Sequence, residues 1–296
     1  VDVIVFGAGS LGSLIGGLLA REHDVTLVGR NPHVESIATE GLAIDGEFDF
    51  RAHPEAVTSL PADCGADLAI VTVKAFDTAA AASALADCDL RMALSLQNGM
   101  GNEAELASHL DCPVLAGTCT YGALSSGPGQ VSCTGIGEIV LGPPGGGTSA
   151  DADEVGAAFE TAGIEAAVAT DMPRRLWEKL AVNAGINATT ALARVENGEL
   201  LDGPAHEVAT AAARETARAA QASDVDLSVE TAVAAVERVA AATAANTSSM
   251  QQDVRADRRT EVDAINGHVA DCAENAPVNR TLANLLCAWE RARGLR

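Results

Sequence analysis

The chain has 296 residues, of which 48% are hydrophobic and 20% charged, a balance that fills a core and excludes a disordered chain. Its 41 acidic side chains against 19 basic ones leave a formal charge of −22, which argues against nucleic acid or an anionic membrane as partner. The length suits two domains, and with aromatics at only 3% their packing falls to Ala, Val and Leu.

In chain order, short β-rich runs alternate with helical patterns, the sign of βαβ units around a parallel sheet. Strands are predicted at residues 1–6, 25–28, 68–73, 92–96 and 114–119, and helices at 10–21, 76–85 and 102–110. Asp45-Gly46 between alternating apolar residues predicts a hairpin over 42–51, and Gly127-Pro128-Gly129 a second over 121–141. A Pro- and Gly-rich punctuation at 143–147 precedes a helix at 152–162 and a last strand at 164–168. Beyond Pro173 the β-branched runs give way to long Ala-rich helical patterns. The expectation is therefore an α/β protein: a Rossmann-type parallel-sheet domain over 1–170 and an all-helical domain over 171–296.

Gly7-Ala8-Gly9-Ser10-Leu11-Gly12 follows the first strand and opens the first helix, the context that a GxGxxG motif requires. Gly7 permits the tight turn, Gly9 lets the backbone approach a pyrophosphate, and Gly12 lets helix and strand pack closely. The helix N-terminus then turns its positive end to the phosphates. An NAD-specific protein usually places Asp or Glu after the second strand, whereas this chain has Gly29-Arg30-Asn31. An Arg there pairs with a 2′-phosphate, so NADP(H) is expected; the alternative is a surface Arg in a loop. Lys74 and Asn98 follow the third and fourth strands at the sheet's carboxyl edge, where such folds bind ligands, although either residue also suits a plain turn.

In the helical half, Lys179, Asn183 and Asn187 stand at i, i+4 and i+8 on one face, beside an apolar face formed by Leu176, Leu180 and Ala184. Asn is a poor mid-helix residue, so a row of donors and acceptors for a carboxylate substrate explains the stripe better than solvation does. A further polar cluster, Asn246-Thr247-Ser248-Ser249-Met250, marks a helix start, where Ser248 or Ser249 also reads as a simple N-cap.

Of the 19 basic residues 17 are Arg and only Lys74 and Lys179 are Lys, an acidic, Lys-poor make-up that points to a salt-loving organism or else to an ordinary acidic bacterial protein. The seven Cys form no CxxC pair and no cluster with His, and read as small buried hydrophobes rather than as disulfides or a zinc site. No metal-ligand spacing occurs. The first strand begins at once, without a leader or a membrane-spanning run, so a cytoplasmic location is expected.

The stretches GAGSLG, VTVKA around Lys74, QNGMGN around Asn98, LWEKLAVNAGINATTAL around Lys179, ENGEL around Asn197 and NTSSMQQDVRADRRTEVDAING through Glu261 resemble, in this order, those of the ketopantoate reductase family. The resemblance implies a Rossmann domain joined to a helical domain, with the active site in the cleft between, and NADPH-dependent reduction of ketopantoate to pantoate on the way to coenzyme A. It implies Lys179 as general acid, Asn183, Asn187, Asn197, Asn246 and Ser249 as substrate contacts, and Lys74, Asn98, Ala123 and Glu261 as cofactor contacts. Ala188 departs from the pattern, since many relatives have Pro after the second Asn, and Ala123 rests on the least certain alignment. The implied partner is a small 2-keto acid, in a monomer or homodimer. Two rival readings stand beside it: a 2-keto acid or β-hydroxyacid dehydrogenase on the same scaffold with another substrate, and a non-catalytic NADP(H)-binding sensor.

Overall fold

Alternating Val, Ile and Leu at the start of the chain form β1 (Asp2–Phe6), whose side chains divide between two faces: Val3 and Val5 enter one buried cluster and Ile4 another. In the computed structural model, which describes all 296 residues, α1 (Ser10–Leu19) leads to β2 (Asp24–Val28), parallel to β1 with Val3 opposite Val25. α2 (His33–Glu40) is followed by β3 (Leu42–Gly46) and β4 (Phe50–Ala52), the antiparallel hairpin expected at Asp45-Gly46. Three-residue β5 (Glu55–Val57) then pairs with β2.

The chain continues through β6 (Gly65–Val71), a 3₁₀ turn at Ala75–Asp77, α3 (Thr78–Leu85), β7 (Asp89–Ser95), α4 (Asn102–Ala107) and β8 (Val114–Cys119). A hairpin of β9 (Gly122–Gly127) and β10 (Gln130–Gly135) turns at Pro128-Gly129 and joins β3 and β4 in a four-stranded sheet. This hairpin is shorter than expected. Its supposed last residues form β11 (Ile139–Gly142), which leaves for the main sheet and runs antiparallel to β8. After α5 (Ala150–Thr161), whose N-cap Ser149 accepts from the Ala152 N–H, β12 (Ala166–Val168) completes an eight-stranded sheet. Its order is β12-β11-β8-β7-β6-β1-β2-β5, parallel throughout except between β11 and β8. This is the doubly wound arrangement in which the order of successive strands reverses beside β1, the place where such sheets take ligands.

The helical part comprises α6 (Met172–Ala193), a 3₁₀ turn at Asn197–Leu200, α7 (Gly203–Ala222), α8 (Val229–Ala242), α9 (Ser249–Arg255), a π-helical turn at Asp263–Gly267 running into α10 (His268–Cys272), and α11 (Pro277–Ala292). Its core is built largely from Ala, including Ala184, Ala209, Ala212, Ala217 and Ala240, all fully buried. Small side chains let helices approach: a Cβ at Gly185 of α6 would lie 2.8 Å from the Ala209 carbonyl oxygen of α7. Contacts divide the chain into one unit of Val1–Gln97 with Gly101–Met172 and another of Asn98–Met100 with Pro173–Arg296.

The cysteine expectation fails in two respects. Cys64 and Cys88 form a disulfide, and among the remaining five only Cys133 is buried. Sequence spacing concealed the pair because the two residues, 24 apart, meet only where β6 and β7 start side by side, with the Asp89 N–H donating to the Cys64 carbonyl at 2.9 Å.

Candidate functional site

Gly7 takes φ +118°, and a Cβ there would come within 2.7 Å of the Val73 nitrogen, so only Gly makes this turn against the end of β6. The N–H groups of Gly7 and Ala8 donate to the Val28 carbonyl at 2.9 and 2.8 Å, and Thr72 Oγ1 donates to the Gly7 carbonyl at 2.8 Å. A Cβ at Gly12 would overlap the Gly7 carbonyl and Thr72 Oγ1, which is the close helix-strand packing expected of it. Gly9 differs: it is exposed, and the nearest atom to its would-be Cβ is the Gly7 carbonyl oxygen at 4.0 Å. The first helical bond of α1 runs from Ser13 to Gly9 at 2.9 Å, so the N–H groups of Ser10, Leu11 and Gly12 form the open, positive end of the helix beneath that space. A dinucleotide pyrophosphate fits this arrangement of bare backbone and converging donors.

The turn is braced from the small sheet. The Ser125 N–H of β9 donates to Ser10 Oγ at 3.0 Å, which brings the strand carrying half-buried Ala123 beside α1. Gly129 donates its N–H to His33 Nδ1 at 3.0 Å, which leaves the proton on Nε2 to bond Ser13 Oγ at 2.9 Å. Burial pushes the His33 imidazole below its ordinary value, in keeping with a neutral ring in this bridge.

Arg30 follows β2 with its side chain 89% exposed and its guanidinium 3.4 Å from the Asp77 carboxylate. Lys74, half-buried, begins the turn after β6. A buried network ties this turn to the one after β7: Gln97 Nε2 donates to the Val73 carbonyl at 3.0 Å and to Thr78 Oγ1 at 2.7 Å, and Thr78 Oγ1 lies 2.9 Å from Asn102 Oδ1. Asn98-Gly99-Met100, between Gln97 and Asn102, belongs to the helical unit, where the Met100 N–H donates to the Ala264 carbonyl at 3.1 Å. Asn98 is thereby brought near the segment that carries Glu261, itself buried.

On α6 the stripe of Lys179, Asn183 and Asn187 stands as read, spanning about 12 Å of helix at 1.5 Å per residue. Lys179 and Asn183 are half-buried and Asn187 buried, beside fully buried Leu180 and Ala184. One turn on, Thr190 Oγ1 donates to the Ile186 carbonyl at 2.8 Å and receives the Ser248 hydroxyl at 2.7 Å. Ser248 is the N-cap of α9, accepting from the Gln251 N–H at 3.2 Å, which leaves Ser249 exposed in the first helical turn. The Asn197 N–H donates to the Asn246 carbonyl at 3.1 Å, so these two predicted residues meet through their backbones, while the Asn246 side chain is exposed. Asn197 Nδ2 donates to Thr243 Oγ1 at 2.9 Å, and its buried Oδ1 has no protein partner. Sequence reasoning missed Gln97, Thr78, Asn102, Thr190 and Asp77; a polar residue directly after a strand, as at Gln97, was the one available signal.

A doubly wound parallel sheet with a glycine turn at its first βα junction, joined to a helical unit, is the fold of a Rossmann-type oxidoreductase. Residues 3–146 match the family model described as ketopantoate reductase PanE/ApbA, and residues 171–290 its C-terminal counterpart. A 2-dehydropantoate 2-reductase of Halobacterium salinarum is 44% identical over 98% of this chain and 99% of its own. A crystal structure of a PanE/ApbA family ketopantoate reductase from Ralstonia eutropha superposes with TM-score 0.91 at 31% identity, covering 99% and 100% of the two chains. A ternary structure of D-mandelate dehydrogenase with NADH and anilino(oxo)acetate superposes with TM-score 0.93 at 25% identity over 100% of both. The chain belongs to the ketopantoate reductase family.

Proposed function

We propose that this protein reduces the 2-keto group of ketopantoate to pantoate with NADPH, as a step toward coenzyme A, and that Lys179 is its general acid. The observation that carries the reading is the Lys179-Asn183-Asn187 stripe laid beside buried Leu180 and Ala184. The turn from Gly7 to Gly12 and the open end of α1 would hold the pyrophosphate, Arg30 the 2′-phosphate, and Lys74, Asn98, Ala123 and Glu261 the remainder of the cofactor. The bound nicotinamide supplies hydride to the ketone carbon. Negative charge then grows on the carbonyl oxygen, and the Lys179 ammonium, on a half-buried face where charge is poorly screened by water, donates a proton to it. Asn183 and Asn187 donate to the substrate carboxylate and fix the angle of attack.

The unpartnered Asn197 Oδ1 supports ketopantoate in particular, because a buried acceptor gains most from a donor and this substrate carries a hydroxyl group. Ser249 and Asn246, both exposed, would contribute at its periphery. The likeness to D-mandelate dehydrogenase favours one alternative, reduction of a different 2-keto acid, in which Asn197 would lack that donor.

NADPH oxidation with ketopantoate, phenylglyoxylate and a series of aliphatic 2-keto acids separates the two. Lys179→Ala is expected to lower kcat roughly 10²- to 10⁴-fold per folded, cofactor-binding site with little change in NADPH affinity. Retention of more than about a tenth of the activity on that basis would remove Lys179 from the chemistry.

A further inference from the structure

Glu261 lies in a segment outside any regular helix. α9 ends at Arg255, and the π-helical turn does not begin until Asp263. What holds the segment comes from α11 and the residues after it. Thr260, immediately before Glu261, donates both its N–H and its hydroxyl to Glu290 Oε1, at 2.7 and 2.6 Å. The Glu290 carboxylate is fully buried, and its other oxygen accepts from Arg296 Nε at 2.7 Å. The same guanidinium, 17% exposed, donates to both oxygens of Asp263 at 3.2 and 2.7 Å. One cation thus ties down both flanks of Glu261, the preceding one through Glu290 and Thr260 and the following one through Asp263.

The charges agree with that geometry. Burial alone would raise the Asp263 carboxyl, but the bonds and charge of Arg296, with further bonds from Cys287 and Arg259, outweigh it and hold the group below its ordinary value. Burial likewise opposes the charged form of Arg296, yet Asp263 and Glu290 hold it above its ordinary value. Without Arg296, Glu290 would be a fully buried carboxylate with its cation gone, a state that an interior relieves by opening to water, which loosens Thr260. Beyond the clamp, the Ile265 N–H donates to the Glu261 carbonyl at 3.2 Å, and Ala264 receives the Met100 N–H, so a shift there also reaches the Asn98 segment.

We propose that Arg296 is a positioning residue for catalysis, acting through Glu290, Thr260 and Asp263 to fix Glu261. This rests on the reading above that Glu261 contacts the cofactor. The test is a double-mutant cycle of Glu261→Gln and Arg296→Ala with Arg296→Lys as the conservative variant, measuring kcat per folded site, NADPH affinity and melting temperature. Hydrogen exchange over residues 258–268 of the cofactor-free protein gives a readout independent of turnover.

Arg296→Ala should lower kcat about tenfold or more, speed exchange in that segment, and cost less than about threefold when Glu261 is already Gln. Arg296→Lys should recover part of the loss. An equal factor in both backgrounds, or a lowered melting temperature with normal kcat per folded site, overturns the proposal alone. A Glu261→Gln variant with wild-type kcat and NADPH affinity overturns the reading of Glu261 and the proposal with it.

Discussion

On the proposed reading Arg30 sets the choice between the two nicotinamide dinucleotides, and its surroundings are mixed. A guanidinium 3.4 Å from Asp77 is partly neutralised before any phosphate arrives, and at 89% exposure it is also open to salt. Arg30→Ala should therefore lower the ratio of kcat/KM for NADPH over NADH by about tenfold, toward the low end for a charge-assisted phosphate contact. Asp77→Asn should raise that ratio severalfold by removing a competing anion. Both are read by steady-state kinetics with each cofactor at fixed KCl, and equal efficiency in the unaltered protein would remove Arg30 as a determinant. The sequence displayed Arg30 because its place after β2 is set by local order. Asp77 was hidden, since it reaches Arg30 from the turn after β6, 47 residues away. The same holds for Gln97, Thr78 and Asn102, whose side chains meet only because β6 and β7 are neighbours in the sheet.

Among elements, β1, α1, β2 and the hairpin of β3 and β4 were legible because each carries a full period of its pattern or a diagnostic turn pair. α2 was not: it buries only Val34 and Ile37 over eight residues, too few to establish a helical period. β5 has three residues after Pro54, and β11 departs for another sheet without any change in its own sequence that would announce it. The polar stripe of α6 was legible for the converse reason, being three side chains at regular helical spacing. The disulfide, formed by contact between distant strand starts, encloses β6 and α3 and with them the turn that carries Lys74. Closing a loop of that size stabilises by about 3.5 kcal/mol in the chain-entropy account. Cys64→Ser should accordingly melt several degrees lower than the oxidised protein, and a reductant should lower the wild type to the same temperature without affecting the variant. Melting unchanged by reductant in the wild type would mean that the bond contributes nothing.

At the scale of the whole molecule, charge decides. Even if every one of the 19 basic side chains paired with a carboxylate, 41 less 19 would leave 22 carboxylates with no basic partner. Salt weakens the surface ion pairs, such as Arg280 with Asp271 at 2.7 Å and Arg293 with Asp257 at 3.0 Å, but each is exposed and contributes little. It also screens repulsion among the far more numerous carboxylates, and that effect is the larger. The buried pair of Arg296 and Glu290 is largely shielded from either change. Melting temperature should therefore rise from low salt toward molar KCl. Because the screening length falls from about 10 Å at 0.1 M to about 3 Å at 1 M, most of the rise should be complete near 1 M. A rise that stays linear to several molar would instead indicate exclusion of salt from the protein surface. A flat or falling melting temperature across the KCl series would show that the acidic surface imposes no measurable strain on the fold.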